Sequence, residues 1–387
     1  MSGSLLPRAS SSLRSTFFPT IRSFSSTSLR LDDQKPKSKV PISLIASLRK
    51  EFPVPLAQAR EALEKSNLDL KGALDYLRTS TSANAEKKAA KVSGRTTNEG
   101  VISISLLSNK RVGMVHLGCE TDFVAKNNIF LNTAKNISET TAFLDVPPEE
   151  TEHPSQHQSQ QNNGEIKVGQ DPILQFPVES LLSAPLISLP TPNEGNSDSH
   201  SAVITQSSEP QTIKQTLLSS LSQTGENLKL IRATSFASPF PSRPEIRYIP
   251  SGYAHGGPND KQGKVGGIIV VSVESLDAEK PMTTLIHGPD GDELEKDINE
   301  FARTISRQVV GFPTKVVEKL DRPFENDEIL YEQPFMMFNG DSRSVKEVLA
   351  EWGKEKGIRI KVVGMRRWAV GDEVEDPSLE KSGESTA

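Results

Sequence analysis

One long stretch of this chain has a composition that cannot build a core. Residues 147–212 carry nine acidic residues against a single base, Lys167, and are rich in Pro, Ser, Gln and Asn, with Phe176 as the only aromatic residue. Such a segment buries too little apolar surface to offset the entropy lost when its backbone is ordered. We therefore expect 147–212 to be a disordered insertion, so that any fold must be assembled from the sequence on its two sides.

The two ends of the chain also differ from its middle. Residues 1–31 contain four arginines, many serines and no acidic residue, which is typical of a mitochondrial transit peptide and predicts delivery to the mitochondrial matrix. Residues 371–387 carry six acidic residues against Lys381 and are expected to form an acidic disordered tail. The remaining sequence has a nearly balanced charge, which argues against direct nucleic-acid binding, because phosphate contacts need a concentrated basic surface.

Helical periodicity dominates the first part of the chain after residue 31. Between residues 42 and 77, apolar residues recur at spacings of three and four in three short runs, and Asn67–Asp69 offers a cap for the third helix. The pattern predicts a three-helix module over 32–80, similar in size to ubiquitin-associated domains. A polar, Ala- and Lys-rich linker is expected over 81–100, with a helix over residues 83–92 as one possibility.

The rest of the sequence mixes strand and helix patterns without a regular alternation. Residues 101–107 and 111–119 read as a hairpin, and Ser344 with Glu347 forms a capping box before a helix. This pattern favours an α+β fold with antiparallel sheets. We expect a bipartite core, with one subdomain built from 101–146 plus 213–247 and a second, with a C-terminal module, over 248–370.

Motifs for the common chemistries are absent from the sequence. It has no phosphate-binding Walker loop, no dinucleotide fingerprint and no His-Glu-x-x-His pattern. Cys119 is the only cysteine, which excludes an intramolecular disulfide and a multi-cysteine zinc site. There is no run of about 18 apolar residues, so no membrane span is expected. We therefore predict neither an enzyme nor a cofactor, and no small-molecule substrate.

The most specific motif is Thr-Asp-Phe-Val-Ala-Lys at 121–126, followed by Asn127. In a strand-to-helix junction, Asp122 would most simply cap the helix that follows. Exposed on a turn, the same Asp122 and Phe123 would present an apolar wedge beside a negative charge.

With its surroundings, this motif closely resembles elongation factor Ts, the guanine-nucleotide exchange factor of elongation factor Tu. Further pieces of the resemblance, in the family's order, are Arg-Glu-Ala-Leu-Glu at 60–64, Thr-Gly-Glu-Asn at 224–227, Tyr-Ala-His-Gly at 253–256 and Gln-Pro-Phe-Met-Met at 333–337. The resemblance covers most of the chain outside the two ends and the insertion.

The resemblance implies a function and a set of contacts. The function is release of GDP from mitochondrial elongation factor Tu so that GTP can rebind, with Asp122 and Phe123 disturbing the magnesium and phosphate site of that partner. The implied partner-binding residues are Thr121, Asp122, Phe123, Val124, Arg60, Thr224, Gly225, His255, Met336 and Met337.

Two other functions compete with this interpretation. The helical module could belong to a ubiquitin-binding adaptor, but the sequence Phe-Pro-Val-Pro at 52–55 does not supply the exposed Met-Gly-Phe-like loop that such a module uses. A metal-dependent hydrolase would use Glu120, Asp122 and His255 and would turn over substrate without any partner.

Overall fold

The structure is a computed structural model that describes residues 40–51, 54, 56–146, 171–187, 211–240, 243–319 and 324–373. The expected transit peptide, most of the acidic tail, and residues 147–170 and 188–210 of the expected insertion lie outside these residues. The chain divides into two compact units, Met1–Tyr76 and Leu77–Ala387.

The first unit contains helices α1 (Ile42–Glu51), α2 (Leu56–Lys65) and the start of α3 (Leu70–Val92). The predicted cap of the third helix is confirmed, because the Asp69 carboxylate accepts a hydrogen bond from the backbone N–H of Gly72 at 2.8 Å. Ile45, Leu48 and Leu63 are almost completely buried, as the apolar spacing predicts.

The expected linker at 81–100 is helical up to Val92, where the possible helix over 83–92 was expected to end. Helix α3 continues without a break to Val92, and the first strand begins at Glu99, so only a short connection separates them. Its Ala- and Lys-rich sequence consists of good helix formers. Val92 is buried in a hydrophobic cluster of the second unit, which gives the last turns of α3 a packing partner.

The described residues of the second unit form two antiparallel sheets, which confirms the α+β class. The first sheet has five strands in the order β3-β4-β2-β1-β6: β1 (Glu99–Leu107), β2 (Arg111–Cys119), β3 (Leu174–Phe176), β4 (Lys229–Ala237) and β6 (Gln262–Gly263). The second has the order β5-β7-β8: β5 (Ile246–His255), β7 (Val265–Ser275) and β8 (Ile358–Ala369). The helices are α4 (Asp122–Ala125), α5 (Asn128–Phe143), α6 (Val178–Ser183), α7 (Ile213–Thr224), α8 (Met282–Ile286), α9 (Gly291–Gly311) and α10 (Val345–Glu355).

Each sheet contributes to its own hydrophobic cluster. Helix α5 packs on β1 and β2 of the first sheet, where Phe130 and Ile137 are fully buried. Helices α9 and α10 provide Phe301, Ile305 and Leu349 to a second cluster over β7 and β8. The capping box predicted for α10 is present, with the Ser344 hydroxyl accepting from the Glu347 N–H.

Part of the expected disordered insertion is folded. Strand β3 pairs with β4, and α6 follows it, with Ile173, Phe176 and Leu181 buried. The average composition of 147–212 concealed this short apolar run, whose side chains complete the core of the first sheet. The disorder expected for 171–187 is therefore wrong.

The expected boundary between the subdomains, at 247 and 248, falls inside β5. Strand β6 lies in the 248–370 segment but pairs with β1 of the first sheet, where Ile102 is opposite Gly263. Pairing between strands that are distant in the chain decides sheet membership, and local sequence patterns do not encode it.

The two sheets meet at a seam where glycines face isoleucines. A Cβ atom at Gly266 would lie 2.5 Å from Ile102 Cγ2, and one at Gly252 would lie 2.8 Å from Ile104 Cγ2. Both positions therefore require glycine for the sheets to approach this closely.

Within the described part of the chain, no helix has both the length and the apolar character required to cross a bilayer. The same residues contain no group of three or more His, Cys, Asp and Glu side chains placed to hold a metal ion.

Candidate functional site

The motif at 121–126 forms a tight junction between β2 and α5. Thr121 is the N-cap of the four-residue helix α4, with its hydroxyl accepting from the Val124 N–H at 3.4 Å. The cap expected at Asp122 is therefore wrong by one residue, because Asp122 already lies in the first turn. Asn127 caps the next helix by accepting from the Ile129 N–H at 2.8 Å. Two caps in seven residues fix the backbone of this junction, which we call the wedge turn (121–126).

A carboxylate from a distant loop holds the wedge turn. Glu226 Oε2 accepts from the backbone N–H groups of Glu120 and Thr121, at 3.2 and 3.0 Å, and its Oε1 accepts from the Thr121 hydroxyl at 2.6 Å. In return, Glu120 Oε1 accepts from the Asn227 N–H at 2.7 Å, and Arg95 forms a salt bridge with Glu120. The wedge turn and the Thr-Gly-Glu-Asn motif thus form one unit.

The exposed apolar group of the wedge turn is Phe123, whose residue surface is 81% accessible. The Asp122 carboxylate beside it accepts from Lys126 Nζ at 2.9 Å. This hydrogen bond and the positive charge of Lys126 lower the pKa of Asp122 below its ordinary value. Val124 points inward and is buried with Ala125, so the free chain does not expose the side chain that was predicted to contact a partner.

His255 lies at the end of β5, in the hairpin that leads to β7, and is exposed. It is opposite Val265, and the neighbouring Lys264 forms an ion pair with Glu99 of β1. Glu99 is in turn opposite Cys119, the last residue of β2 before the wedge turn. The structure therefore brings His255 to the same end of the sheets as Asp122 and Phe123.

Two polar residues of β2 are buried near this end. Burial raises the pKa of the Cys119 thiol to about 12, so that the thiol is protonated and unreactive at neutral pH. His116 is 2% exposed, and neither ring nitrogen has a hydrogen-bond partner among the described residues. Burial, together with the charge of Arg232, lowers the pKa of His116 to about 4.

Met336 and Met337 are also exposed apolar residues, with 49% and 36% of their surface accessible. The loop that carries them rests on two buried amides. Gln308 Nε2 donates to Gln333 Oε1 at 3.0 Å and to the Pro334 carbonyl at 3.1 Å, and Gln308 Oε1 accepts from the Met337 N–H at 3.2 Å. We call the segment 333–337 the methionine loop.

The other predicted contacts occupy different places. Thr224 donates its hydroxyl to the Ser220 carbonyl at 2.9 Å and ends α7, after which exposed Gly225 closes the helix with a φ of 78°. Arg60 is exposed on α2 of the first unit. Glu226 was not predicted as a site residue, and its presence in the quoted motif was the one signal that could have identified it.

Two known proteins that are similar over most of this chain carry the same name. A protein of Cryptococcus neoformans var. neoformans serotype D, named "Elongation factor Ts, mitochondrial", is 66% identical over 337 residues, covering 87% of this chain and 88% of the relative. A protein of Coprinopsis cinerea with the same name is 31% identical over 368 residues, or 90% of this chain and 96% of the relative. This chain belongs to the elongation factor Ts family.

No family model matches the chain. Membership in the elongation factor Ts family therefore rests on full-length similarity, and it extends to more distant fungal relatives, such as a Malassezia globosa protein that is 27% identical over 398 residues.

Proposed function

We propose that this chain promotes the release of GDP from mitochondrial elongation factor Tu, so that GTP can rebind during translation elongation. The observation that carries the proposal is the placement of Phe123. An aromatic ring that is 81% exposed on a doubly capped turn, beside the carboxylate of Asp122, offers a rigid wedge to a partner. Aromatic side chains of this kind are common anchors of protein interfaces.

The wedge acts by differential binding. Phe123 enters a gap between partner side chains. The Asp122 carboxylate gives up its hydrogen bond with Lys126 and interacts instead with the partner's groups that hold the magnesium ion and the phosphates of GDP. Loss of those contacts weakens nucleotide binding. No covalent bond is made or broken, so the chain is an exchange factor and carries no catalytic residue of its own.

Thermodynamic linkage requires the effect to be reciprocal. If binding of this protein lowers the affinity of the GTPase for GDP, then GDP lowers the affinity of the GTPase for this protein by the same factor. A ternary complex therefore forms and dissociates as nucleotide exchanges, and a large interface is needed to offset the lost nucleotide contacts.

Several exposed residues supply that interface. Arg60 on α2, Gly225 after α7, His255 in the β5–β7 hairpin, and Met336 with Met337 are all accessible. Methionine suits such a surface, because its flexible side chain adapts to irregular partners. Thr121 and Val124 support the wedge turn from inside, and the module at 32–80 docks on the nucleotide-binding domain of the partner.

The proposed site of action is the mitochondrial matrix. The composition of residues 1–31 supports it, and so does the word "mitochondrial" in the names of the relatives. Import removes the transit peptide before the protein meets its partner.

Release of labelled GDP from purified mitochondrial elongation factor Tu tests the proposal. The wild-type chain should speed release, and Phe123→Ala should lose most of the acceleration, on the order of 100-fold, as expected for an interface anchor. Phe143→Ala is the matched control, because Phe143 is 51% exposed at the end of α5, away from the wedge turn. Failure of the wild-type chain to speed release at micromolar concentration would overturn the proposal.

A further inference from the structure

We infer that Glu226 is the positioning residue of the wedge turn: its carboxylate sets the direction in which Phe123 points. The inference rests on the proposed function and names the group that makes the wedge effective. Glu226 acts through Thr121, whose backbone N–H and hydroxyl both donate to its carboxylate.

Hydrogen bonds connect Glu226 to Phe123 in three steps. Glu226 accepts from the N–H of Thr121 at 3.0 Å and from its hydroxyl at 2.6 Å, which fixes both the backbone and the rotamer of Thr121. The fixed hydroxyl accepts from the Val124 N–H at 3.4 Å. Since Phe123 lies between Thr121 and Val124, its Cα–Cβ direction is set by these bonds.

A carboxylate is the group that this position requires. Three donors converge on Glu226, two backbone N–H groups and one hydroxyl, and an ionised carboxylate has lone pairs for all of them. The Thr121 hydroxyl can donate to Glu226 while it accepts from Val124, so that both of its roles are satisfied. An amide in place of the carboxylate would supply only one acceptor oxygen. Its NH₂ group would face the donors that the second carboxylate oxygen now accepts from.

The loop that carries Glu226 is itself fixed. Asn227 donates its N–H to Glu120 at 2.7 Å and its side-chain amide to the Arg95 carbonyl at 3.1 Å, while Arg95 forms a salt bridge with Glu120. The loop therefore presents the Glu226 carboxylate to the backbone of the wedge turn, and Glu120, just before the wedge turn, presents its carboxylate to the backbone of the loop. This crossed arrangement gives the wedge turn a rigid base across 105 residues of sequence.

Phe123 depends on this base because little else holds it. Its ring is 81% exposed, whereas Val124 and Ala125 are packed in the core. Loss of Glu226 should leave the core residues in place and let the first turn of α4 move, so that the exposed ring samples several directions.

The experiment compares Glu226→Ala and Glu226→Gln in the full chain, with Glu300→Gln on the exposed face of α9 as the matched control. We measure GDP release from mitochondrial elongation factor Tu over a range of exchange-factor concentrations. Glu226→Ala should lower the maximal rate about 10-fold and change the half-saturating concentration by less than about 3-fold, because preorganisation is lost while the contact surface is kept. Glu226→Gln should recover part of the rate, and Glu300→Gln should match the wild type.

A double-mutant cycle separates positioning from general stability. In the Phe123→Ala background, Glu226→Ala should lower the rate by less than about 2-fold, because the ring to be positioned is gone. An equal loss in both backgrounds, or a wild-type rate for Glu226→Ala, would overturn the inference.

Hydrogen exchange gives a readout that does not depend on the GTPase. Glu226→Ala should speed exchange of the Thr121 and Val124 amides at least about 10-fold and leave the β1 and β2 amides unchanged. If the wild-type chain fails to release GDP while this pattern is found, the proposed function fails and Glu226 still orders the turn. If the Thr121 and Val124 amides keep wild-type protection, the positioning role is wrong whatever the GDP assay shows.

Discussion

The wedge turn and the methionine loop both hold exposed apolar side chains in place, but different groups support them. Each presents exposed apolar side chains, Phe123 in one and Met336 with Met337 in the other, over a base of side-chain hydrogen bonds. The base of the wedge turn is formed by carboxylates, Glu226 and Glu120, which are half-buried. The base of the methionine loop is formed by neutral amides that are fully buried.

Because their supporting groups differ, the two regions should respond differently to substitution, salt and pH. Gln308 and Gln333 are 0% and 1% exposed, so every polar atom lost there leaves another without a partner in the core. The wedge turn has water nearby to replace lost bonds, and its charged groups respond to salt and to neighbouring charges. We expect changes in the buried amides under the methionine loop to cost stability and changes in the wedge turn to cost function.

The largest expected effect follows from breaking the amide pair. Gln333→Leu keeps the size of the side chain but removes its bonds to Thr314, at 2.9 Å, and to the Asp327 carbonyl, at 2.6 Å. It should lower the free energy of unfolding by about 3 kcal/mol, because buried partners are left unsatisfied. Urea unfolding measures this. The control, Gln223→Leu on the exposed face of α7, should stay within about 0.5 kcal/mol of the wild type, and a similar result for Gln333→Leu would remove the contrast between the two regions.

The exposed tips of the methionine loop should behave differently from their base. Replacing both Met336 and Met337 by Ser should weaken binding to mitochondrial elongation factor Tu about 10-fold while unfolding changes little, since these side chains are largely accessible. Calorimetric titration measures the affinity. Leu276→Ser, at a site 49% exposed, is the matched control. A loss of stability as large as that of Gln333→Leu would instead assign the two methionines to core packing.

Acid should affect the sheet under the wedge turn and spare the amide pair, which does not ionise. The pKa of His116 is about 4 in the folded chain and 6.5 without burial, so the unfolded chain binds more protons between these values. Its contribution to stability is complete above pH 6.5 and is lost as the pH falls towards 4. Lowering the pH from 6.5 to 5.5 should cost about 1 kcal/mol.

Hydrogen exchange locates this loss. Besides Arg232, the charges that act on His116 come from Lys264 and Asp372. The protection factors of the β2 amides, which are corrected for the pH dependence of intrinsic exchange, should fall at pH 5.5, and those of the methionine loop should stay unchanged. His116→Leu should flatten the pH dependence, whereas His287→Leu, at an exposed site, should not. An unchanged slope in His116→Leu would show that another group is responsible.

The smallest effect concerns the ion pair within the wedge turn. Lys126→Gln should raise the pKa of Asp122 towards its ordinary value of 3.8, because the hydrogen bond and charge that favour the ionised form are removed. Titration of the Asp122 carboxyl by NMR measures the shift. The freed carboxylate should speed GDP release by no more than about 3-fold at low salt, and the gain should shrink at high salt. Lys296→Gln is the control, and slower release in Lys126→Gln would show that Lys126 itself assists the partner.

Local patterns in the sequence predicted much of the fold. The hairpin of β1 and β2 was predicted from strand alternation around a polar turn, and both strands are confirmed. The capping box of α10 was predicted from Ser344 and Glu347 alone. These features depend on residues within a few positions of one another, so a single sequence contains the required information.

Long-range contacts could not be predicted in this way. The bond from Thr121 to Glu226 spans 105 residues, and nothing in either motif specifies the other as its partner. Strand β3 was missed for the same reason, since its pairing with β4 compensates for its short length. At the candidate site, the exposure of Phe123 agrees with the wedge hypothesis, whereas the inward direction of Val124 depends on the four-residue helix that Thr121 starts.

The seam between the sheets has a consequence for how this sequence can change over time. Gly266→Ala would place a methyl group 2.5 Å from Ile102 Cγ2, and the branched side chain of Ile102 has a restricted choice of χ1 rotamers with which to move away. Ile102→Ala would make room first, but a buried truncation of this size costs about 2–5 kcal/mol by itself. Whichever of the two positions changes first, the singly substituted protein is less stable. The glycines and isoleucines of the seam should therefore vary together and slowly among descendants of this chain.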